Sequence, residues 1–230
     1  MMQELDTGLP GFGTLPDGVL AALVPLELSG MAGFPLPPEE EASIARLRTA
    51  PLQDARRAVL TARRLQLAEW TGEAPEALHL GKTGEGAPVM IHPQGWTVSF
   101  SDADRVAAMA AAPGWRALGI DVVRAGPRDW RAMLNMVCAP DEAAAFLAKW
   151  TRENEAATAF NRMWAIKEAA LKAGGRGMRA GAKTVRVRIG WLEGPAAFEL
   201  SLSGRVLEGV SVEAGGVFAC LVAGPVTRPA

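Results

Sequence analysis

The chain lacks any marked imbalance of charge. Its 24 Lys and Arg meet 25 Asp and Glu, for a formal net charge of −1. A strongly basic nucleic-acid binder is excluded, although a local basic patch is not. Cysteine is scarce: Cys138 and Cys220 stand far apart without metal-ligand spacing. Two reduced, buried thiols are expected. Histidine is equally scarce, and His79 and His92 match no catalytic arrangement, so both read as structural. Tyrosine is absent beside seven Trp, which carries no functional conclusion. Long apolar runs are missing too. A stretch such as "AAMAAAP" at 107–113 is far too short to cross a bilayer. The first residues show no basic stretch leading into an apolar one, so no signal peptide is expected. The expectation is a soluble, cytoplasmic protein without nucleic-acid or membrane partners.

What is present suits a folded chain. Hydrophobic residues make up 49% and charged residues 21%, which argues against disorder. A length of 230 residues allows one large domain or two small lobes with a real core. Residues 1–37 are rich in Gly and Pro, and 18–28 are apolar enough for one or two buried strands. The stretch 37–72 reads as two helices broken at Pro51, with an acidic first turn after Pro37 and Pro38. Its arginines, among them Arg46, Arg48, Arg63 and Arg64, lie on the face opposite the apolar one. A glycine-rich loop and short strand fill 78–92, and strands are expected over 96–102, 105–112 and 115–125. Helices follow at 141–150, with Asp141 as N-cap, and at 154–173, stopped by Gly174 and Gly175. Strands are expected again at 183–192, 196–203 and 216–224. Helices followed by strands, twice over, predict two α+β lobes with a seam near 113–118.

Two places carry chemistry. Asp121 sits in "LGIDVV", among Ile120, Val122 and Val123. A carboxylate there is costly to bury unpaired, so it marks either a half-exposed strand end or a site with a cationic or metal ligand. In "WAIKEAALKAGG", Trp164, Glu168 and Lys172 recur every four residues and share one helix face. A Glu–Lys pair at that spacing contributes only about 0.2–0.5 kcal/mol and is common on exposed helices. A stripe that includes Trp is at least partly covered, and ions there need partners beyond each other.

Gly119-Ile120-Asp121, followed by Trp164, Lys167, Glu168, Ala169 and Lys172, resembles the 4′-phosphopantetheinyl transferases of the larger, Sfp-like type. Their signature is a G-(I/V)-D strand and then a W-x-x-K-E-(A/S)-x-x-K helix. Weaker matches lie at 56–64, 81–88 and 97–102. The resemblance implies an α+β fold of two pseudo-symmetric lobes, each with helices on a small, mainly antiparallel sheet. Here these would be 1–117 and 118–230. It implies Mg²⁺-dependent transfer of the phosphopantetheine arm from coenzyme A to a serine of an apo acyl or peptidyl carrier protein, releasing 3′,5′-ADP. Asp121 and Glu168 would hold the metal, and Glu168 and Lys172 would serve as base and as cation for the leaving phosphate. Coenzyme A would meet Ser99, Lys167 and Lys172. Lys167 is open to a second reading as a solvated lysine. A monomer is expected.

The chain departs from the family pattern in three places. The second acid of G-I-D-x-E is Val123, the histidine of the S-H segment is Phe100, and the lysine of the Gly-Lys-Pro loop is Ala87. Arg46 or Arg48, Arg63 and Lys82 are the basic residues expected to compensate. A glutamate at position 123 is expected to be tolerated. These losses leave a second possibility, a weak or inactive relative that binds coenzyme A or a carrier protein without transfer. For a partner, 126–137 offers Trp130, Met133, Leu134 and Met136, or else an ordinary amphipathic core helix. The stretch 172–188 carries Lys172, Arg176, Arg179, Lys183, Arg186 and Arg188 without an acid, a candidate docking patch for an acidic carrier.

Overall fold

The computed structural model describes residues 12, 15–26, 33–114, 116–126, 129–175 and 181–226. Strand β1 (Leu20–Pro25) is followed by helices α1 (Pro38–Ala45) and α2 (Ala50–Thr71). Four strands come next: β2 (His79–Lys82), β3 (Pro88–His92), β4 (Trp96–Ala103) and β5 (Val106–Pro113). Strand β6 (Arg116–Arg124) leads to α3 (Trp130–Val137), α4 (Pro140–Lys149) and α5 (Glu153–Ala173). The chain closes with β7 (Ala196–Leu202), β8 (Arg205–Ala214) and β9 (Val217–Val226). Among the described residues, no helix is long and apolar enough to cross a membrane.

The strands form an antiparallel sheet β1-β5-β4, a hairpin β2-β3 and an antiparallel sheet β6-β9-β8-β7. The α+β class and two-lobed layout expected from the sequence are what the chain adopts. The two larger sheets face each other, and each carries a long helix on its outer side. Strand β5 shows why its sequence is mostly alanine. Ala108, Ala110 and Ala112 pack toward Leu118, Ile120 and Val122 of β6, while Ala107 and Met109 pack toward Ala58, Val59 and Ala62 of α2. A strand covered on both faces at close range has room only for small side chains.

Strand β6 divides its residues in the same way. Leu118, Ile120 and Val122 enter the core between the sheets, whereas Val123 joins the core around α5. Gly119 also faces α5, and the approach is very close. A Cβ on Gly119 would lie 1.9 Å from the Ala169 carbonyl oxygen and 2.5 Å from the Ala173 nitrogen. Glycine lets the backbone of α5 rest directly on β6.

Several sequence expectations need correction. Asp141 is not the N-cap of α4; Ala139 holds that position, and Asp141 lies in the first turn after Pro140. Pro51 begins α2 rather than merely ending the helix before it. Arg64, expected on the exposed arginine face, is buried and pairs with Glu40 through both carboxylate oxygens, while its Nη1 donates to the Pro75 and Leu78 carbonyls. The strand expected at 183–192 is absent. Short 3₁₀ turns occupy Ala182–Thr184 and Ile189–Leu192 instead. Buried charges on α4 and α5 take the backbone groups that a neighbouring strand would otherwise bond. Strands β2 and β8 were not anticipated. The expectations for 1–11, 13–14 and 27–32, and for Arg176 and Arg179, lie outside the described residues.

Candidate active site

Helix α5 is where the candidate residues converge. Acidic Glu153 and Glu155 in its first turn and Lys172 in its last suit the helix dipole. Gly174 caps it and Gly175, at φ +73°, turns the chain away. From Ala165 to Ala173 the helix is buried except at Glu168 and Lys172, which with Trp164 are half-buried. The stripe inferred from spacing is therefore the one open line on the last turns of a covered helix.

Lys172 reaches off that stripe into the seam between the sheets. Its Nζ donates to Asp121 Oδ1 at 2.7 Å, to the Ile120 carbonyl at 3.0 Å and to the Phe100 carbonyl at 3.2 Å. An ammonium has three protons, and these acceptors account for all of them. Asp121 has a side chain 7% exposed. Ser101 Oγ donates to the same Oδ1 at 2.8 Å. The buried carboxylate is thus paired, as its cost of burial requires. The sequence left two possibilities for Asp121, a half-exposed strand end or a site with a cationic or metal ligand. Asp121 is buried rather than half-exposed, and the cation beside it is Lys172.

Strand β4 serves both sides of the seam by alternation. Ser99 and Ser101 point to β6, and the Ser99 hydroxyl accepts from the Ile120 N–H at 3.0 Å. Phe100 and Asp102 point to α2, where they meet Arg63. The Arg63 guanidinium lies over the Phe100 ring, 4.8 Å from its centre, and Nη2 donates to Asp102 Oδ1 at 2.9 Å. Burial pushes the Arg63 pKa down to about 10, against the opposing pull of Asp102. Arg63, Phe100, Lys172 and Asp121 thus form one connected line from α2 to β6. Ser101 and Asp102 were not singled out from the sequence, although the alternation of β4 carried the signal: it places Ser101 on the face of Ser99.

Other candidates lie elsewhere. Arg46 and Arg48 are exposed just beyond α1, Lys82 is exposed at the end of β2, and none of the described contacts links them to Asp121. Lys167 is neither solvated nor at this seam: it is buried against Glu142 on the other side of α5. Val123 is 4% exposed in the same core as Trp130 and Leu134, so the expectation that a glutamate is tolerated there is not supported. Cys220 lies opposite Asp121 across the β6–β9 pair, and burial, with the Asp121 charge beside it, pushes its thiol well up. Both cysteines are free and buried, as expected. On α3, Trp130, Leu134 and Val137 turn inward while Met136 is exposed, so the segment is in large part an amphipathic core helix. A groove of about 650 Å³ between Pro16, Trp191 and Glu208 contains none of the candidate catalytic, metal or coenzyme A residues, though Arg188 lines it.

The donor set bears on a metal. Among the described residues, no three His, Cys, Asp or Glu side chains gather as a metal cage. Mg²⁺ asks for less: one or two carboxylates, with waters and substrate phosphates completing the shell. Asp121 and Glu168 are carboxylates of the type that ion prefers, and Glu168 stands one turn before the Lys172 that reaches Asp121. The ammonium already bound to Asp121 is a stand-in showing that this carboxylate accepts a cation.

No curated protein matches the chain. Residues 117–205 match the family model of the 4′-phosphopantetheinyl transferase superfamily, a span that takes in β6, α5 and the segment after it. The stretch that bears Asp121, Glu168 and Lys172 is the stretch that this family model describes, and over it the chain is similar to the 4′-phosphopantetheinyl transferase superfamily.

Proposed function

We propose that the chain is a two-lobed, Sfp-like enzyme, with lobes at 1–117 and 118–230, that transfers the phosphopantetheine arm of coenzyme A to a serine of an apo acyl or peptidyl carrier protein. The observation that carries this reading is the Lys172 ammonium, which ties α5 to Asp121 and to β4 across the seam. In the proposed reaction the serine oxygen attacks the phosphorus that bears the pantetheine arm. The bond from that phosphorus to the bridging oxygen breaks, and 3′,5′-ADP departs. Glu168, half-buried on the open stripe, takes the serine proton. Asp121 and Glu168 would hold Mg²⁺, which would neutralise the pyrophosphate and the charge that develops at phosphorus. Lys172 supplies positive charge beside the leaving phosphate. Arg63, held over Phe100, would meet coenzyme A, with Ser99 bracing β4 against β6. Arg46 and Lys82 would contribute at the rim. The site is complete within one chain, which then acts as a monomer in the cytoplasm.

One observation favours a second reading, a relative that binds without transfer. The three protons of Lys172 are all spent on protein acceptors, so the ammonium must release some of them to serve a phosphate. Intact-mass measurement decides between the two. The protein is mixed with an apo acyl or peptidyl carrier protein, coenzyme A and Mg²⁺, in parallel with EDTA. A gain of one phosphopantetheine arm, suppressed by EDTA, is the expected result. Metal-dependent binding of coenzyme A without any mass gain would establish the second reading.

A further inference from the structure

The chemistry above makes no use of the most deeply buried ion pair among the described residues. Lys167 and Glu142 have side chains 1% and 3% exposed. The ammonium donates to Glu142 Oε1 at 3.0 Å and Oε2 at 2.9 Å, and to the carbonyls of Ala182 and Val185. Glu142 Oε1 also accepts from the Val187 N–H at 2.8 Å. Every one of these backbone partners belongs to a single stretch, 182–187. From Val185 to Arg188 the stretch alternates like a strand, with Val185 and Val187 buried and Arg186 and Arg188 exposed, while exposed Lys183 sits in the 3₁₀ turn before it; it pairs with no strand among the described residues. The buried ion pair takes the place of a neighbouring strand.

A buried pair is costly to desolvate and is weak support for stability alone, since apolar side chains of similar size often replace one at little cost. It is well suited to fixing the position of a backbone. Here the positioned backbone carries three exposed cations, Lys183, Arg186 and Arg188. Arg186 is tethered further by Asp141, and Arg188 lies beside Trp191, its guanidinium carbon 5.7 Å from the ring centre. No acid interrupts 172–188. The stretch runs beside α5, whose other side bears Glu168 and Lys172.

We propose that Lys167 is a positioning residue. With Glu142 it holds 182–187 in place, so that Lys183, Arg186 and Arg188 form a fixed edge for an acidic carrier protein. The inference rests on the transferase reading above for its partner, and on the hydrogen bonds alone for the ordering.

The test is the double variant Lys167→Met with Glu142→Leu, which removes both charges and keeps similar volume. Hydrogen exchange should speed at the amides of 182–187 while those of α5 stay protected. The KM for an apo acyl carrier protein should rise about tenfold, with kcat and the KM for coenzyme A unchanged, because only partner capture is lost. The salt dependence of KM should weaken in parallel. Should the double variant fail to fold, Glu142→Gln gives the exchange readout, and the surface pair Lys183→Ala with Arg188→Ala gives the carrier KM. Unchanged exchange over 182–187 overturns the positioning role. Faster exchange with an unchanged carrier KM overturns the docking edge, and a fall in kcat alone overturns both. A wild-type chain that neither binds nor modifies the carrier overturns the proposed transfer and the partner named here, and is recognised by having no KM to compare.

Discussion

Lys172 and Asp121 meet at 2.7 Å across the seam between the two sheets, and the same ammonium holds carbonyls from β4 and β6. One side chain therefore joins the last turn of α5 to both halves of the fold. Lys172→Met removes the cation from a carboxylate that is nearly buried. The expected loss is about 1–3 kcal/mol, the range for hydrogen bonds to charged groups. Urea unfolding of Lys172→Met, Asp121→Asn and the double variant measures it. Strict additivity of the two single losses would contradict the pairing, because partners in direct contact couple.

Glu168→Gln tests the proposed base. The side chain is half-buried on the open stripe, so the fold should persist. Transfer should fall by roughly 10²–10⁴, the usual contribution of a positioned general base. Intact-mass rates together with an unchanged melting temperature would support this, and full activity would remove Glu168 from that role.

Gly119→Ala tests the contact between β6 and α5. The new Cβ would meet backbone atoms at 1.9 and 2.5 Å, and backbone cannot turn aside as a flexible side chain can. A loss of about 3 kcal/mol or more is expected, the upper end for overpacking. A melting temperature equal to wild type would mean that the helix does not rest on this strand.

Val123→Glu places a carboxylate in the core beside Trp130 and Leu134. The buried cation of α5, Lys167, is already paired with Glu142, so the expected cost is about 3–5 kcal/mol, as for an uncompensated buried charge. Chemical denaturation reads the change. Wild-type stability in this variant would return position 123 to the site.

Stability should fall at both ends of the pH scale. Burial, then the Glu142 charge, pushes the Cys138 thiol up to about 12 from an ordinary 9.0, and Cys220 is also pushed well up. Between pH 9 and 12 the unfolded chain therefore sheds protons that the folded chain keeps, so stability declines as pH rises through that window. At the acid end, hydrogen bonds from Arg57 to Glu41, from Arg186 to Asp141 and from Arg131 to Glu153 hold those carboxyls below their ordinary range. Their contribution is present above the unfolded values and is lost as pH falls below them. Melting temperatures across pH check both limbs. The same thiol shifts predict that neither cysteine reacts with a thiol reagent at pH 8 until the chain is unfolded.

Much of this was legible because it is local. A period of four residues put Trp164, Glu168 and Lys172 on one line, and a helix has no other way to arrange them. The acidic first turn and paired glycines marked where α5 begins and ends. An acid inside an apolar strand, at Asp121, announced a partner because an unpaired one is too costly. The motif order then carried the family, which the match over 117–205 bears out.

What the tertiary structure alone decided were the partners of long side chains. Spacing offered Lys172 a glutamate on its own helix, but the fold gave it Asp121, distant in sequence and close in space. Lys167 and Glu142 carry no signal of burial in the sequence, and only the packing of α4 against α5 makes each the answer to the other. Their claim on the backbone of 182–187 explains why a stretch that alternates like a strand is not one. Secondary structure follows from neighbours along the chain, whereas the pairing of buried charges depends on which surfaces the fold brings together, and that is settled by the whole chain at once.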